Sequence, residues 1–249
     1  MAKMGGSRHL KRLAAPAFWP ILRKEYKWVV KPCPGPHPIE RSLPLLVLIR
    51  DVFGYAETAR EARRIIVEGK VWIDGTPRKN YKFPVGLMDV ISFPDIDEHY
   101  RMVPYPTKYL WPIRIPKDEA NLKLVRIENK TTVKGGHIQL NLHDGRNILI
   151  RVSNPTKPEE DVFKTMDSLL IKVPSQEIVM HIPFEIGSYA VVIGGRNVGR
   201  FGRIVEVQKG MGRERTLVTL EDDEGHRFQT ILSYVFVVGK DKPVIKLRD

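Results

Sequence analysis

Three arginines at helical spacing are the residues whose chemistry follows most directly from their positions. Arg60, Arg63 and Arg64 stand at i, i+3 and i+4, so a helix would project them from one face. Planar guanidinium groups clustered in this way match the oxygens of phosphate groups. The alternative is an ordinary solvated helix face, since three glutamates lie close enough in sequence to pair with the arginines. These are Glu57, Glu61 and Glu68.

A second group of arginines alternates with glycines between residues 194 and 203. The sequence Gly-Gly-Arg-Asn-Val-Gly-Arg-Phe-Gly-Arg contains Arg196, Arg200 and Arg203. Small residues let a backbone approach a ligand, while guanidinium groups contact its phosphates. The stretch lacks Gly-Lys-Ser/Thr and precedes a strand instead of a helix, so it is only a weak match to a nucleotide-binding phosphate loop. The alternative is a loop that needs positive φ at several glycines.

Other polar clusters do not have the composition of a catalytic or metal site. Cys33 and His37 would supply half of a zinc site, but no second pair follows at ligand spacing. His137 and His143 have no carboxylate or nucleophile at a fixed spacing, and we expect both at the surface near turns. Residues 222–225, Asp-Asp-Glu-Gly, are typical of a solvated hairpin tip. We predict no catalytic residue, no metal and no cofactor.

Local signals place the first arginine cluster on a short capped helix. Thr58 with Glu61 three residues later forms a capping box, and Gly69 lies just past the helix end. An apolar stripe at helical spacing predicts that the face beside the arginines is buried. That stripe consists of Ala59, Ala62, Ile65 and Ile66.

Further turn and helix signals surround this capped helix. Pro44 is predicted just inside an earlier helix, which Gly54 ends. Asp74-Gly75 lies between two β-prone runs and predicts a hairpin turn, and Val90–Phe93 predicts a further strand.

The chain carries an excess of positive charge that is concentrated near its N-terminus. Its 249 residues include 41 Lys and Arg against 29 Asp and Glu, a formal net charge of +12. Residues 1–41 hold nine Lys and Arg against two Glu and so contribute +7. Basic arms that contact nucleic acid have this composition, and we predict a polyanionic partner.

The sequence also indicates the cellular compartment of the protein. No apolar run approaches the roughly 18 residues that a membrane helix needs. The first residues lack the apolar core of a signal peptide, and Cys33 is the single cysteine. We therefore expect a cytoplasmic protein with no membrane partner and no internal disulfide.

The N-terminal arm, residues 1–41, mixes bases with aromatic residues and prolines. Four prolines between residues 32 and 38 exclude regular helix or sheet there. Its aromatic residues either pack on the chain's own domains or contact RNA, and both arrangements remain open. These are Phe18, Trp19, Tyr26 and Trp28. The arm's candidate RNA-binding residues are Lys3, Arg8, His9, Lys11 and Arg12.

The remaining two thirds of the chain have the periodicity of strands. Alternation over residues 137–142 and 147–152 predicts a hairpin, with Leu122–Ile127 as a partner strand. Asp161–Leu170 fits a short helix or a strand equally well. Five short strands after residue 188 predict a small barrel. They are Tyr189–Ile193, Arg203–Val207, Thr216–Leu220, Arg227–Leu232 and Tyr234–Val238.

These motifs resemble known RNA-binding families. The segment Leu43–Phe93 resembles the RNA-binding domain named after bacterial ribosomal protein S-four, and residues 192–205 resemble the KOW motif of ribosomal and transcription-elongation proteins. Residues 6–16 and 34–37 resemble the opening of the e-type small-subunit ribosomal protein S-four family of archaea and eukaryotes, and the likeness extends to the C-terminus. The first of these matches rests on Gly54, Ala56, Thr58, Ala62, Arg63, Ile66, Gly69, Val71, Ile73, Gly75 and Val90.

The resemblance implies a multidomain, mostly β member of the α+β class, and we expect an archaeal source. Its units would be the arm (1–41), the S-four-type RNA-binding domain (42–105), a central β domain (106–174) and a KOW-containing, Src-homology-like barrel (175–249). It implies a structural constituent of the small ribosomal subunit that is not an enzyme. Such a protein binds small-subunit ribosomal RNA, contacts neighbouring ribosomal proteins and takes no small-molecule substrate.

The candidate RNA-binding residues of the RNA-binding domain and of the glycine-arginine loop complete this hypothesis. They are Arg60, Arg63, Arg64, Lys70, Arg78, Lys79, Lys82, Arg196, Arg200 and Arg203. Two alternatives carry the same modules. An RNA-modifying enzyme would need a catalytic Arg-Leu-Asp stretch or a nucleotide-binding signature, and the sequence has neither. A transcription elongation factor would account for the KOW-like loop but leaves the first 105 residues unexplained.

Overall fold

Three five-stranded antiparallel sheets make up most of the structure, a computed structural model that describes residues 6–154, 160–213 and 215–248. Lys3 lies outside the described residues. The N-terminal sheet has the strand order β5-β4-β7-β8-β9, and two-stranded pairs β1–β2 and β3–β6 lie before it and within it in the chain. These strands are β1 (Leu10–Lys11), β2 (Trp28–Val29), β3 (Ser42–Pro44), β4 (Trp72–Ile73), β5 (Thr76–Pro77), β6 (Pro84–Gly86), β7 (Val90–Phe93), β8 (Glu98–Tyr105) and β9 (Tyr109–Arg114).

The central and C-terminal sheets follow in chain order. The central sheet has the order β12-β11-β10-β13-β14 and the C-terminal sheet the order β18-β17-β16-β15-β19. The central strands are β10 (Leu122–Thr132), β11 (Ile138–Leu142), β12 (Asn147–Ile150), β13 (Ser168–Lys172) and β14 (Glu177–Ile182). The C-terminal strands are β15 (Tyr189–Val192), β16 (Phe201–Gln208), β17 (Leu217–Glu221), β18 (Arg227–Ile231) and β19 (Val235–Gly239).

Helix is confined to the N-terminal third among the described residues. Helix α1 (Leu45–Val47) continues as π-helical residues Leu48–Val52, and α2 covers Ala59–Val67. Short 3-10 turns cover Arg12–Ala14, Ile39–Arg41, Pro94–Ile96, Lys117–Glu119 and Leu232–Tyr234. No helix of the described residues has both the length and the apolar character needed to cross a membrane.

The first helix begins later than the sequence predicts. Pro44 is not inside it but ends β3, which pairs with β6, and its ψ of 139° is extended. Proline has no N–H to donate to a neighbouring strand, but it is tolerated in a short edge pair such as β3–β6, where the other residues supply the ladder hydrogen bonds. The predicted helix end is confirmed, because Gly54 has φ +69° and the N–H of Phe53 donates to the Leu48 carbonyl.

Most strand predictions hold. The Asp74-Gly75 turn joins β4 to β5 with both residues at positive φ, as a two-residue hairpin requires. Of the open segment Asp161–Leu170, the last three residues begin strand β13 at Ser168, between β10 and β14, and the residues before them form neither helix nor strand. All five C-terminal strands form within a few residues of their predicted limits.

Two predicted domain limits fall inside hairpins. The limit at 105/106 separates β8 from β9, although Tyr105 pairs with Tyr109. The limit at 174/175 separates β13 from β14, which pair from Ser168 opposite Ile182. Both strands that follow a predicted limit therefore continue the preceding sheet.

Part of the arm docks onto the N-terminal sheet and helices. Trp19 is only 3% exposed, and its indole N–H donates to the Ser42 carbonyl at 3.0 Å. The Phe18 ring lies 5.1 Å from the ring of Tyr109. Tyr26 and Trp28 remain 63% and 50% exposed. Phe18 and Trp19 therefore pack on the chain's own domain, whereas Tyr26 and Trp28 keep half or more of their surface exposed.

The three sheets share apolar core. Met88 and Val103 of the N-terminal unit and Leu124 and Leu170 of the central sheet pack with the inner face of the C-terminal sheet. Two further clusters lie under the helices and within the central sheet. Burial of these contacts fixes the sheets against one another.

A buried lysine joins the N-terminal and central sheets. The ammonium group of Lys123, on β10, lies 2.7 Å from Asp74, 2.6 Å from Asp89 and 3.0 Å from Asp144. All four side chains are almost fully buried. Although burial lowers the pKa of a lysine, the three carboxylates raise the pKa of Lys123 above its ordinary value. The lysine is therefore charged, and it neutralises carboxylates from both sheets.

Two buried arginines likewise join the N-terminal and central sheets to the C-terminal part of the chain. Arg101, on β8, pairs with Glu119 at 2.7 Å and donates to the Lys246 carbonyl at 3.1 Å. Arg126, on β10, pairs with Glu128 and donates to the Val235 carbonyl at 2.7 Å.

His143 departs from the predicted surface position. Its Nδ1 accepts from the Arg126 N–H, and its Nε2 lies 3.2 Å from the Leu87 carbonyl, to which it donates. Its ring meets Phe236 edge-on at 5.4 Å. Burial lowers the pKa of His143 to about 4, with His37 and Lys123 adding to the effect and Asp144 opposing it. Sequence analysis did not predict this position because Leu87 and Phe236 belong to the N-terminal unit and to the C-terminal sheet, far from His143 in the chain.

Candidate nucleic-acid interface

The arginine cluster lies on α2, whose local sequence fixes its start and its buried face. Thr58 accepts from the Glu61 N–H at 3.2 Å, and Glu61 accepts in return from the Thr58 N–H at 3.3 Å, so the predicted capping box is confirmed. These hydrogen bonds lower the pKa of Glu61. Ala62 and Ile66 are fully buried. The helix is thereby held with its arginines towards solvent.

The three arginines are all exposed, but their surroundings differ. Arg64 pairs with Glu68 at 2.9 Å, and Lys70 pairs with the same carboxylate at 2.9 Å. Lys70, and then Arg64, lower the pKa of Glu68. The Arg63 guanidinium lies 4.4 Å from the centre of the Tyr81 ring. Arg60 has no polar or aromatic partner within the described part of the chain, so its charge is fully available.

The arm supplies the other wall of a groove beside this helix. Strands β1 and β2 pair from Leu10 opposite Val29, and the Arg12 N–H donates to the Lys27 carbonyl at 3.0 Å. The groove has a volume of about 1050 Å³. We call it the arm–helix groove, and among the described residues its charged and aromatic lining consists of Arg8, His9, Arg12, Glu25, Tyr26, Lys27, Trp28, Lys31, Arg50, Asp51, Glu57, Arg63, Tyr81 and Lys82.

The lining of the arm–helix groove is basic and aromatic. Seven Lys and Arg side chains face three carboxylates, an excess of four positive charges. Two of the carboxylates are already paired, Glu25 with Arg12 at 3.4 Å and Asp51 with Arg50 at 2.9 Å. Cations beside rings that retain exposed surface are the combination that binds nucleic acid backbones and bases.

The structure brings together four of the predicted site residues in this groove and corrects one. Arg8, His9, Arg63 and Lys82 line it with solvent-exposed or half-buried side chains. Arg12 also lines it, but its side chain is buried, because it pairs with Glu25 and lies over the Tyr26 ring at 5.3 Å. Arg12 therefore organises the arm instead of presenting a charge to solvent. Lys11, its neighbour, is exposed.

Sequence analysis missed four basic or aromatic residues of the groove, one of which is Arg50. Lys27 and Lys31 belong to the basic arm but were not among the predicted contacts, and Tyr81 was not singled out. The signal was present, because residues 78–83 read Arg-Lys-Asn-Tyr-Lys-Phe and interleave bases with aromatic residues. Two cations from this stretch and α2 flank the Tyr81 ring, Arg63 at 4.4 Å and Lys82 at 5.6 Å.

The other predicted bases of the N-terminal unit lie near the end of α2. Arg78 is half-buried over the Phe83 ring at 4.6 Å, whereas Lys79 is exposed. A Cβ at Gly69, just after α2, would lie 3.7 Å from the Lys79 side chain. Lys79 and Lys70 therefore extend the basic surface beyond the groove.

The glycine-arginine loop belongs to the C-terminal sheet and contacts the β8–β9 turn. Gly199 has φ +78°, and a Cβ there would lie 2.4 Å from Cδ of Pro106. Arg196 is exposed, and Arg200 is exposed over the Phe228 ring at 5.1 Å. Arg203 pairs at the surface with Asp241 at 3.3 Å. None of these three arginines lines the arm–helix groove.

Cys33 and His37, which have no second pair of ligands in the sequence, make separate contacts in the structure. The Nε2 atom of His37 lies 3.1 Å from Asp89, and Cys33 accepts a weak contact from Asn80 at 3.6 Å. Across residues 6–154, 160–213 and 215–248, no three His, Cys, Asp or Glu side chains are grouped as metal ligands.

Comparison with known proteins places these elements in a family. The RS4NT domain model matches residues 4–40, the S4 domain model matches residues 52–91, and the model of the ribosomal family S4e matches residues 96–178. The small ribosomal subunit protein eS4 of Aeropyrum pernix is 66% identical over 247 residues, which cover 99% of this chain and 98% of that protein. The chain belongs to the ribosomal family S4e.

Other S4e proteins are similar over comparable lengths. The small ribosomal subunit protein eS4 of Methanocaldococcus jannaschii is 55% identical over 247 residues, 99% of this chain and all of that protein. The crystal structure of the 30S ribosomal protein S4e from Thermoplasma acidophilum superposes with a TM-score of 0.66 at 32% identity, over 80% of this chain and 96% of that one. The predicted family is therefore confirmed. The relatives are named as ribosomal proteins, in agreement with the prediction that the chain is not an enzyme.

The family models assign the two walls of the arm–helix groove to different domains. The RS4NT match contains β1 and β2, and the S4 match contains α2 and Tyr81. The mostly β fold with few helices and an S4 domain is confirmed for this S4e protein. Its groove is thus a composite surface, formed where the N-terminal domain docks on the S4 domain.

Proposed function

We propose that this S4e-family chain is a structural constituent of the small ribosomal subunit, where it binds ribosomal RNA and supports subunit assembly and translation. The observation that carries the proposal is the arm–helix groove, with its four excess positive charges and exposed rings. The mechanism requires no covalent chemistry. Lys and Arg side chains neutralise phosphates and release their counterions, and the shape of the surface positions the RNA.

The proposed RNA contacts extend from the groove along α2 and onto the C-terminal sheet. The partners are small-subunit ribosomal RNA and neighbouring ribosomal proteins, within ribosomes of the cytoplasm, with no membrane and no small-molecule substrate. The contact residues that we propose are Arg8, His9, Lys11, Arg60, Arg63, Arg64, Lys70, Arg78, Lys79, Lys82, Arg196, Arg200 and Arg203.

The C-terminal unit is proposed to be a KOW-type module of a Src-homology-like barrel. Support comes from the glycine-arginine loop between β15 and β16 and from the five-stranded antiparallel sheet that carries it. We propose four units in all, beginning with the arm. The second and third units run to about residues 115 and 184, because the hairpins β8–β9 and β13–β14 extend past the predicted limits.

The competing functions have less support. An RNA-modifying enzyme or a transcription elongation factor would share one or two modules with this chain. The relatives named as ribosomal proteins instead match it over 99% of its length.

A charge reversal on α2 tests the proposal. Arg60→Glu with Arg63→Glu should weaken binding to full-length small-subunit ribosomal RNA several-fold at moderate salt. It should also lower the slope of log affinity against log salt by about two units, since each lost phosphate contact removes about one. Binding would be titrated in KCl between roughly 50 and 200 mM, the range in which such contacts are resolved.

The control reverses the same number of charges elsewhere. Lys134→Glu with Lys172→Glu changes two exposed lysines of the central sheet and should leave the slope close to that of the wild type. Equal slopes for the wild type and the α2 variant, both folded, would remove α2 from the RNA interface. Absence of the wild-type protein from salt-washed small subunits would refute the ribosomal function itself.

A further inference from the structure

We propose that the arm–helix groove holds unpaired nucleotides of RNA, with a base stacked on Trp28, and does not hold a duplex. This inference rests on the proposed RNA-binding function and specifies the form of RNA that the groove accepts. The decisive feature is the arrangement of Trp28, which lies on a paired strand, lines the groove and keeps half of its surface exposed.

The backbone that carries the Trp28 ring is held in place before any RNA binds. Trp28 pairs with Lys11 across the β1–β2 ladder, and the next residue, Val29, packs against the apolar core of the N-terminal unit. The His9 ring lies 5.6 Å from the Trp28 ring and the Lys27 ammonium 5.4 Å from it. Because this backbone is already ordered, only the side chain of Trp28 loses conformational freedom when a base stacks on its ring.

Phosphate-binding groups surround the ring on both walls. Arg8, Lys27 and Lys31 belong to the arm, and Arg63 and Lys82 belong to the S4 domain. A strand of RNA that places a base on Trp28 therefore has cations within reach of the phosphates on either side. This combination of a stacking platform and a basic groove is the one that binds single-stranded nucleic acid.

A duplex cannot use this arrangement. Bases in an A-form helix are stacked on one another, and their faces are not accessible to a side chain. Apart from the two ends of a duplex, only a base in a loop, a bulge or a single strand presents a free face to an indole ring. A duplex would therefore leave Trp28 and Tyr26 in water and gain only the phosphate contacts.

The first measurement compares two forms of RNA on the full-length protein. A 12-nucleotide oligouridylate should bind more tightly than a 12-base-pair RNA duplex at the same salt concentration, and it should quench tryptophan fluorescence. Trp28→Ala should weaken oligouridylate binding by about 5- to 150-fold, which corresponds to the loss of one base–aromatic stack. Trp28→Phe should retain most of the affinity and lose the quenching.

A matched tryptophan provides the control. Trp72 is also exposed, at 38%, and lies on β4 outside the lining of the groove, so Trp72→Ala should change neither affinity nor quenching by the oligonucleotide. Lys27→Ala should instead reduce the salt slope by about 0.7 units, the value for one phosphate contact on a single strand. Thermal melts of each variant identify any that fail to fold. If Trp28→Ala fails to fold, the inference is tested by the affinity and the quenching of Trp28→Phe.

The outcomes separate this inference from the proposed function. Equal binding of single strand and duplex, or full affinity in Trp28→Ala, overturns the inference. If full-length small-subunit ribosomal RNA still binds in that case, the proposed function stands without it. A wild-type protein that binds no ribosomal RNA overturns both.

Discussion

His143 connects the central sheet to both of its neighbours, and it can do so only as the neutral imidazole. Its Nδ1 accepts from the Arg126 N–H and its Nε2–H donates to Leu87. A proton on Nδ1 would face the Arg126 N–H and break the first bond. Burial accordingly lowers the pKa of His143 from 6.5 to about 4 in the folded protein.

This shift predicts acid sensitivity at a single residue. The folded protein binds the His143 proton less readily than the unfolded chain, so stability is complete above about pH 6.5 and falls as the pH drops towards 4. Between pH 7 and pH 5 the wild type should lose about 2 kcal/mol more than His143→Asn, in which the amide oxygen still accepts from Arg126. Urea unfolding at both pH values measures this difference.

The control for this prediction is another histidine of the chain. His226 is exposed beside Glu224, so His226→Asn should follow the wild-type pH profile. If His143→Asn loses as much stability as the wild type over this interval, then protonation of His143 does not limit acid stability.

At the scale of elements, the β8–β9 turn packs closely against the glycine-arginine loop because Gly199 has no side chain. Gly199→Ala must accept φ +78° and place a Cβ 2.4 Å from Pro106. Gly225→Ala must accept φ +81° but meets no atom within 4 Å. The two substitutions thus share the backbone strain and differ in the clash.

We expect Gly225→Ala to lower the free energy of unfolding by about 1–2 kcal/mol, the cost of a left-handed alanine. Gly199→Ala should cost about 1–3 kcal/mol more, because overpacking forces the turn or the loop to move. Chemical denaturation of both variants gives the comparison. Equal costs would mean that the β8–β9 turn yields freely and does not hold the loop.

The elements that sequence analysis predicted correctly are those governed by local rules. The capping box of α2, the Asp74-Gly75 turn and the end of the first helix at Gly54 each depend on residues within a few positions. The errors have distant causes. Pro44 became a strand residue because β6, some forty positions later, pairs with β3.

In the candidate site too, sequence analysis predicted what depends on local residues and missed what depends on distant contacts. The arginines of α2 were predictable from their spacing, but the groove was not, because its second wall comes from the docked arm. Arg12 is a basic residue like its exposed neighbours in sequence, and its contacts with Glu25 and the Tyr26 ring bury it. Burial of individual charges depends on tertiary packing that composition does not encode.

For the whole molecule, the buried ion pairs decide how the sheets unfold. Lys123→Met would leave Asp74, Asp89 and Asp144 without their shared cation. Removing one partner of a buried ion pair typically costs about 3–5 kcal/mol. We expect a loss of that size in urea unfolding, together with earlier separation of the N-terminal and central sheets in hydrogen exchange.

The matched control is Lys172→Met, which alters an exposed lysine on the neighbouring strand β13. A surface substitution of this kind should stay within about 0.5 kcal/mol of the wild type. A loss in Lys123→Met no larger than in Lys172→Met would mean that the three carboxylates are stabilised by other groups.

The same ion pairs join residues that are translated at different times, so these contacts of the N-terminal sheet form in a set order during synthesis. A ribosome makes the chain from its N-terminus, and Asp74 and Asp89 precede Lys123 by 49 and 34 residues. Arg101 precedes the carbonyl of Lys246 that it contacts by 145 residues. While the chain is growing, its N-terminal sheet therefore contains two carboxylates that still lack Lys123 and one guanidinium group that still lacks the Lys246 carbonyl. Its last polar contacts close only when the polypeptide is almost complete.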